Sequence, residues 1–388
     1  MAAENSLPME NRVLEPDHRA STNFWNSDLI LNHHLRTQLP IEAFAYLDRL
    51  ALELGGKAAQ QMDELSLSAD KHPPVLNKRN RFGENIDEIV FHPSYWELMK
   101  IAVDSEMMRL KWEPSLREKF KGSRHQMGFA IGALFSMAES GQYCPLCMTD
   151  GVALLIDHFA TPADRERLMP QLFTDDPASF FTGAMFLTEK AGGSDVGANL
   201  VRAEKRADGN YALYGEKWFC SNVNADIMFV LARTDENVPG TKGLSLFLVE
   251  KKLEDGTRNP IDIVRLKDKL GTRSMASGEC LLEGTIGKMV GDEFHGFYAM
   301  TEMINLSRMY NSVAALSGGR RALIEAWQFL SFRKTFGKPV LEHALVRDKL
   351  WELGAKHYAS FQMVWRSIAA MDDAEAGDND ALELLRLL

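Results

Sequence analysis

Cysteine is scarce in this chain. Four of them, Cys144, Cys147, Cys220 and Cys280, in 388 residues do not make a disulfide framework, which fits a reducing compartment. A basic surplus is missing too: 44 Lys and Arg stand against 54 Asp and Glu, a net charge of −10. Bulk attraction to nucleic acid or to an anionic membrane needs a basic face, so only a local patch stays open to such partners. The longest apolar run, around Met127 to Met137, is well short of the ~20 residues that span a bilayer. The N-terminus has no apolar h-region and sets Glu4, Glu10, Glu15 and Asp17 against Arg12 and Arg19. Neither a signal peptide nor an Arg-rich transit sequence is expected, and the expected location is cytoplasmic. Cys144-Pro-Leu-Cys147 lacks a second CxxC and a His at zinc spacing, so packed thiols are expected there and no metal site.

What is present starts with 45% apolar content, enough for a large core spread over two or three domains. One stretch stands out, Met185-Phe-Leu-Thr-Glu-Lys-Ala-Gly-Gly-Ser-Asp195. Met185, Phe186 and Leu187 read as an extended run. Gly192 and Gly193 let the backbone turn its amides toward a bound group, and Thr188 and Ser194 supply hydroxyls on either side. A flat ring and a pyrophosphate could share that loop; an ordinary hairpin turn would carry the same residues.

The periodicity divides the chain. Residues 1–40 read as an extended arm. Residues 41–180 read as an α-helical domain: Phe44, Leu47, Leu50 and Leu54 recur at helical spacing until Gly55-Gly56 ends the run, Lys71 to Asn85 form a loop, and Pro93 opens another helix. Residues 181–290 change to period 2, with runs at Val201–Arg206, Tyr211–Cys220, Asp226–Arg233, Leu244–Lys251, Ile261–Leu266 and Glu279–Leu282 separated by turns, the pattern of a compact antiparallel sheet or barrel. Residues 291–388 return to helix, interrupted at Gly318-Gly319, with the turn Arg333-Lys-Thr-Phe-Gly-Lys-Pro339 between two long helices. The fold class is therefore α+β and multidomain, ordered helices, sheet, helices.

That order, with Thr188-Glu-x-x-x-Gly193-Ser-Asp195, Gly215-Glu-Lys-Trp-Phe219 running to Ser221-Asn222, and Arg333-x-x-Phe336-Gly337, resembles the acyl-CoA dehydrogenase flavoprotein family. Val90-Phe-His-Pro93, Cys144-Pro-Leu-Cys-Met-Thr149, Gly215-Glu-Lys-Trp-Phe219 itself and Leu266-Lys-Asp-Lys-Leu-Gly-Thr-Arg-Ser274 resemble its AidB branch more closely. The resemblance implies FAD as cofactor, with Met185, Phe186, Leu187, Thr188, Gly193 and Ser194 on the flavin and its phosphates. It puts Phe219, Cys220 and Ser221 where the family has Trp-x-Thr. It also implies that Arg333, Lys334, Thr335 and Phe336 reach the FAD of a neighbouring subunit, where a guanidinium fork suits pyrophosphate. Read without a neighbour, the same residues are a solvated basic turn. His343-Ala344 departs from the His-Gln of many members.

For an acyl-CoA substrate the resemblance assigns Ser194, Asn305 and Arg308 as contacts, although buried polar positions on a helix would read the same way. Dehydrogenation needs a carboxylate base. The usual C-terminal Glu is not found, and the alternative position before Arg308 holds Ser307, so the catalytic residue is unknown. Asp380-Ala-Leu-Glu383 reads as a helix start followed by Leu382, Leu385 and Leu388. The chain is accordingly expected to be C-terminally truncated relative to the family, with homo-oligomer contacts in the full-length form and an unknown electron acceptor. Three readings stay open: an FAD-dependent oxidoreductase acting on the CH–CH bond of an acyl-CoA or acyl-like substrate, an AidB-like flavoprotein that mainly binds DNA or an acyl chain, and a cofactor-free interaction fragment.

Overall fold

The computed structural model describes residues 22–387, so the first 21 residues of the expected arm and Leu388 of the expected apolar stripe lie outside the described residues. Residues 22–40 correct the expectation of an extended arm, because they form helices at Phe24–Ser27 and Leu29–Gln38. Side-chain caps explain them: Asn23 Oδ1 accepts from the Trp25 and Asn26 amides at 3.0 and 3.3 Å, and Asp28 Oδ1 from Leu31 at 3.1 Å. Leu31 and Leu35, four apart, bury the inner face.

The described chain divides into two compact units, one built from the segments up to Glu64, Phe120–Ala138 and Ser312 onward, the other from Leu65–Lys119 and Glu139–Asn311. The first unit is helical. Helix Arg124–Ala138, almost wholly buried, is flanked by Ile41–Ala59 and Ala344–Glu375, and Asn379–Leu387 folds back on the last of these. Asp372 Oδ1 and Oδ2 accept from the His125 and Gln126 amides at 2.9 and 3.0 Å, a carboxylate from a neighbouring helix at an N-terminus that favours negative charge. Gly55-Gly56 does not end its helix, which runs to Ala59. A Cβ at Gly55 would stand 2.5 Å from Asn23 Oδ1 and 2.8 Å from the Trp25 amide, so this glycine serves close packing. Nor do Gly318-Gly319 interrupt helix Gly296–Phe332. The last helix is capped by Asp378, whose Oδ1 accepts from Asp380 and Ala381 at 2.9 and 3.2 Å, two residues before the expected cap.

The second unit holds the sheet and several helices. Residues 75–90, expected within a loop and its sequel, form a hairpin of β1 (Val75–Arg79) and β2 (Asn85–Val90). β3 (Gly183–Phe186), β4 (Arg202–Lys205), β5 (Tyr211–Ser221), β6 (Ile227–Arg233), β7 (Leu244–Glu250), β8 (Ile261–Leu266) and β9 (Ser277–Val290) form one sheet in the order β3-β6-β4-β5-β9-β7, with β8 on β9. β7 also pairs with β6, so the ring β6-β4-β5-β9-β7 closes and loses its free edges. The sheet is mixed, not purely antiparallel, because β3 and β4 run parallel to β6. Residues 187–226 supply the long connection that the parallel β3–β6 pair requires. All seven residues of β6 are buried, which is why that strand reads as a continuous apolar run without alternation.

Within this unit Asp150, on helix Tyr143–Phe159, is enclosed by donors: Lys111 Nζ at 2.5 Å, Trp112 Nε1 at 2.6 Å and the Tyr310 hydroxyl at 2.8 Å. Burial works against its charge, but Lys111 and the other donors outweigh it and hold the carboxyl below its ordinary value. Burial also pushes the Cys144 thiol up to about 11 and Cys147 well above its ordinary value, so both stay protonated and packed inside the helix. Among the described residues, no helix is long and apolar enough to cross a membrane.

Candidate functional site

β3 carries Met185 and Phe186 beside Phe229 and Val230 of β6, and the chain then leaves the sheet at Leu187. The loop that follows is held from below by a buried ion pair. Lys217 Nζ lies 2.7 Å from Glu189 Oε1, with the two side chains 0% and 5% exposed. The other carboxylate oxygen, Oε2, accepts from the Leu200 amide at 2.5 Å, and Oε1 also accepts from Val201 at 3.3 Å. Asn199 Nδ2 donates to the Leu187 carbonyl at 2.8 Å. Burial pulls the Lys217 ammonium below its ordinary value while the Glu189 carboxylate opposes the fall. Arg233, at the end of β6, pins the far side by donating to the Asn199 and Val238 carbonyls at 2.7 and 2.8 Å and to those of Gly197 and Gly240.

The upper face of the loop is open. The Trp218 amide donates to the Thr188 carbonyl at 2.9 Å, which brings Thr188 against β5 next to Phe219. Gly192 has φ +141°, and nothing stands within 4 Å of where its Cβ would be. At Gly193 a Cβ would come 3.0 Å from Thr188 Oγ1, so a side chain there would crowd that hydroxyl. Thr188, Ser194 and Ser221 each keep a hydroxyl with no protein hydrogen bond among the described residues. Phe219 is 45% exposed, whereas Cys220 is fully buried with its thiol 3.7 Å from the Lys217 carbonyl. Of the second candidate trio, then, Phe219 and Ser221 face outward and Cys220 serves the core.

The remaining candidates are placed as follows. Asn305 and Arg308 are exposed and bonded to each other, Arg308 Nη1 to Asn305 Oδ1 at 2.8 Å. Ser307 Oγ donates to the Ile304 carbonyl at 2.7 Å, and Glu302 Oε2 lies 2.6 Å from His158 Nδ1. In the other unit, Arg333 to Phe336 lead into a hairpin in which Lys334 pairs with Pro339 and Thr335 with Lys338. Phe336 and Gly337 have φ +51° and +79°, a two-residue loop that leaves Phe336 96% exposed. Thr335 Oγ1 lies 3.1 Å from His343 Nε2, so His343 serves this turn despite the departure at Ala344.

Two functional residues escaped the sequence reading. Glu189 and Lys217 were visible as letters of the two loop motifs, but each stands next to an opposite charge, Lys190 and Glu216, so nothing in the sequence showed which acid meets which base.

Comparison with known proteins gives three consecutive matches: the adaptive response protein AidB N-terminal domain over residues 15–176, the acyl-CoA dehydrogenase middle domain over 184–285 and the acyl-CoA dehydrogenase C-terminal domain over 295–384. Acyl-CoA dehydrogenase family member 11 of Caenorhabditis elegans is 29% identical over 94% of this chain and 60% of its own length. AidB of Escherichia coli (strain K12) is 32% identical over 80% of this chain and 57% of its own length. The chain thus spans about three fifths of these relatives. Among solved structures, Bd2924 in its apo form superposes with TM-score 0.89 at 31% identity, covering 94% of this chain and 73% of that one. The C. elegans protein in complex with C11-CoA does so with TM-score 0.88 at 28% identity, covering 94% and 62%. With a helical N-terminal part, a β-sheet middle and a helical C-terminal part matching in order, the chain belongs to the acyl-CoA dehydrogenase family, in its AidB-like branch.

Proposed function

We propose that this chain carries the flavin site of an FAD-dependent, acyl-CoA dehydrogenase-like oxidoreductase acting on the CH–CH bond of an acyl-CoA. The observation that carries the reading is the loop locked by Glu189 and Lys217, which holds Thr188, its hydroxyl free of protein hydrogen bonds, against β5 next to the exposed Phe219. Those groups fit a flavin. Thr188 Oγ1 is available to donate to the ring edge, Phe219 offers a flat apolar wall, Ser221 adds a hydroxyl, and Ser194 with the amides around Gly192 suits pyrophosphate. When bound, FAD supplies the hydride acceptor. Met185, Phe186 and Leu187 deliver the chain to this place from β3. Arg333, Lys334, Thr335 and Phe336 stand ready on an exposed turn to contact the FAD of a neighbouring subunit, and Asn305 and Arg308 to contact substrate. A cytoplasmic location agrees with four free cysteines.

The second reading, a flavoprotein that binds an acyl chain or DNA with little dehydrogenation, is favoured by one observation. Ser307, at the alternative base position, is no carboxylate, and its hydroxyl is engaged by its own helix. The test is an absorption spectrum of the purified chain after incubation with FAD, before and after anaerobic addition of acyl-CoAs of several lengths. Flavin bands that bleach support the oxidoreductase; bands that shift without bleaching support the binding protein; a colourless chain that takes up no FAD overturns both.

A further inference from the structure

The loop after β8, which the flavin reading leaves without a role, borders a half-open cavity of about 210 Å³ between Pro73-Pro74 and residues 266–277. Three cations line it, Lys267, Lys269 and Arg273, against one carboxylate, Asp268. Lys267 is already neutralised, with Nζ 2.7 Å from Glu279 Oε1 and 3.6 Å from the centre of the Trp218 ring. Lys269 and Arg273 have no carboxylate within ion-pair distance among the described residues. Lys269 is held in place by neutral acceptors alone, donating to the Met275 carbonyl at 2.8 Å and to Ser277 Oγ at 3.1 Å. Those bonds occupy two of the three donors of an ammonium and fix its direction.

A partly buried cation with no counter-charge is electrostatically expensive and is stabilised by any anion that reaches it. Burial lowers the Lys269 ammonium to about 8, with the Cys144 thiol as its nearest titratable influence. The cavity has room for a tetrahedral oxyanion. Arg273 adds a planar fork suited to two oxygens of a phosphate, and Ser277 a hydroxyl.

We propose that this cavity is a phosphate-binding site in which Lys269 and Arg273 are the ligands, taking either free phosphate or the terminal phosphate of a small ester. The inference is independent of flavin binding, since no residue of the flavin loop contributes to it.

The test uses inorganic phosphate as the probe and the full chain as the protein. Titration calorimetry at pH 7 in a chloride buffer is expected to give saturable one-site binding, weakened at least tenfold by Arg273→Met and by Lys269→Met. Acetylation of Lys269, read by peptide mass spectrometry at pH 7.5, where the amine still carries its proton in most molecules, is expected to be slowed several-fold by phosphate in the unaltered chain; this readout needs no variant to fold. Binding should also fall as pH rises through 8 and the amine loses its proton. The charged and titratable groups around it are Lys267, Asp268 and Arg273 on its own segment, Glu279 paired with Lys267, and Cys144 on the facing helix, whose thiol burial pushes up to about 11. Glycerol 3-phosphate, a small ester without a pyrophosphate, distinguishes the two sources: tighter binding than phosphate that Lys269→Met weakens identifies an ester, equal or weaker binding identifies the free ion. No saturable phosphate binding, or binding that both substitutions leave unchanged with no protection of Lys269, overturns the proposal.

Discussion

The loop 187–201 and the turn 333–339 are both candidate cofactor contacts, the first for this chain's own FAD and the second for that of a neighbouring subunit, and they are built in opposite ways. The loop is anchored underneath by a desolvated ion pair, three backbone amides and carbonyls held by side chains, and the Arg233 guanidinium, so its upper groups are fixed before anything binds. The turn is held by a four-residue hairpin, by the Val340 amide donating to the Arg333 carbonyl at 2.8 Å, and by His343 Nε2, 3.1 Å from the Thr335 hydroxyl and 3.3 Å from its carbonyl, with its aromatic in solvent. Preorganisation is a property of what lies behind a site, and of the two only the loop is backed by a buried ion pair.

That contrast can be broken most directly at Lys217. Lys217→Met leaves Glu189 buried without its counter-charge and should cost about 3–5 kcal/mol in urea unfolding. A loss within the error of the measurement would mean that the pair does not hold the loop. The coupling can then be sharpened: Lys217→Met combined with Glu189→Gln should be less destabilising than the sum of the two single changes, by about 0.5–3 kcal/mol in a double-mutant cycle, whereas simple additivity would show the two sites to be independent. On the other side of the comparison, Gly337→Ala places a Cβ at φ +79° and should cost about 1–2 kcal/mol, with refolded FAD uptake measured alongside stability. The smallest effect is expected for Arg333→Ala, within about 0.5 kcal/mol of the parent in stability because the side chain is exposed, while FAD retention on gel filtration drops. A large change in melting temperature there would show the turn to be structural.

The sheet was legible because its strands are apolar runs between Gly, Pro and Asp turns, and Ile261–Leu266 falls where period 2 put it. The β1–β2 hairpin was not. Its strands alternate exposed and half-buried positions, and its anchor is Asp87, a carboxylate that accepts from the Ile263 amide at 3.1 Å and lies 3.0 Å from Lys78 Nζ. A contact across 176 positions leaves no local trace. The two helices before Pro40 were missed for a related reason, since the first is a single turn of four residues and the second has an apolar face of only one buried residue per turn. At the site, the motif residues were readable as letters, but which of Phe219, Cys220 and Ser221 faces outward depends on how β5 twists over β9, where the pairing register shifts between Lys217 and Cys220.

Tyr310 and Asp150 meet across 160 positions of chain. Closing so long a loop is slow, and this bond, with Lys111 and Trp112 around the same carboxylate, is expected to form after the folding barrier has been crossed. Contacts made on the native side of a barrier act as a latch: they lengthen the lifetime of the folded molecule and leave its rate of formation unchanged. In stopped-flow denaturant jumps, Tyr310→Phe should therefore unfold faster than the parent and refold at the same speed, and a slower refolding limb would place the latch in the folding nucleus instead.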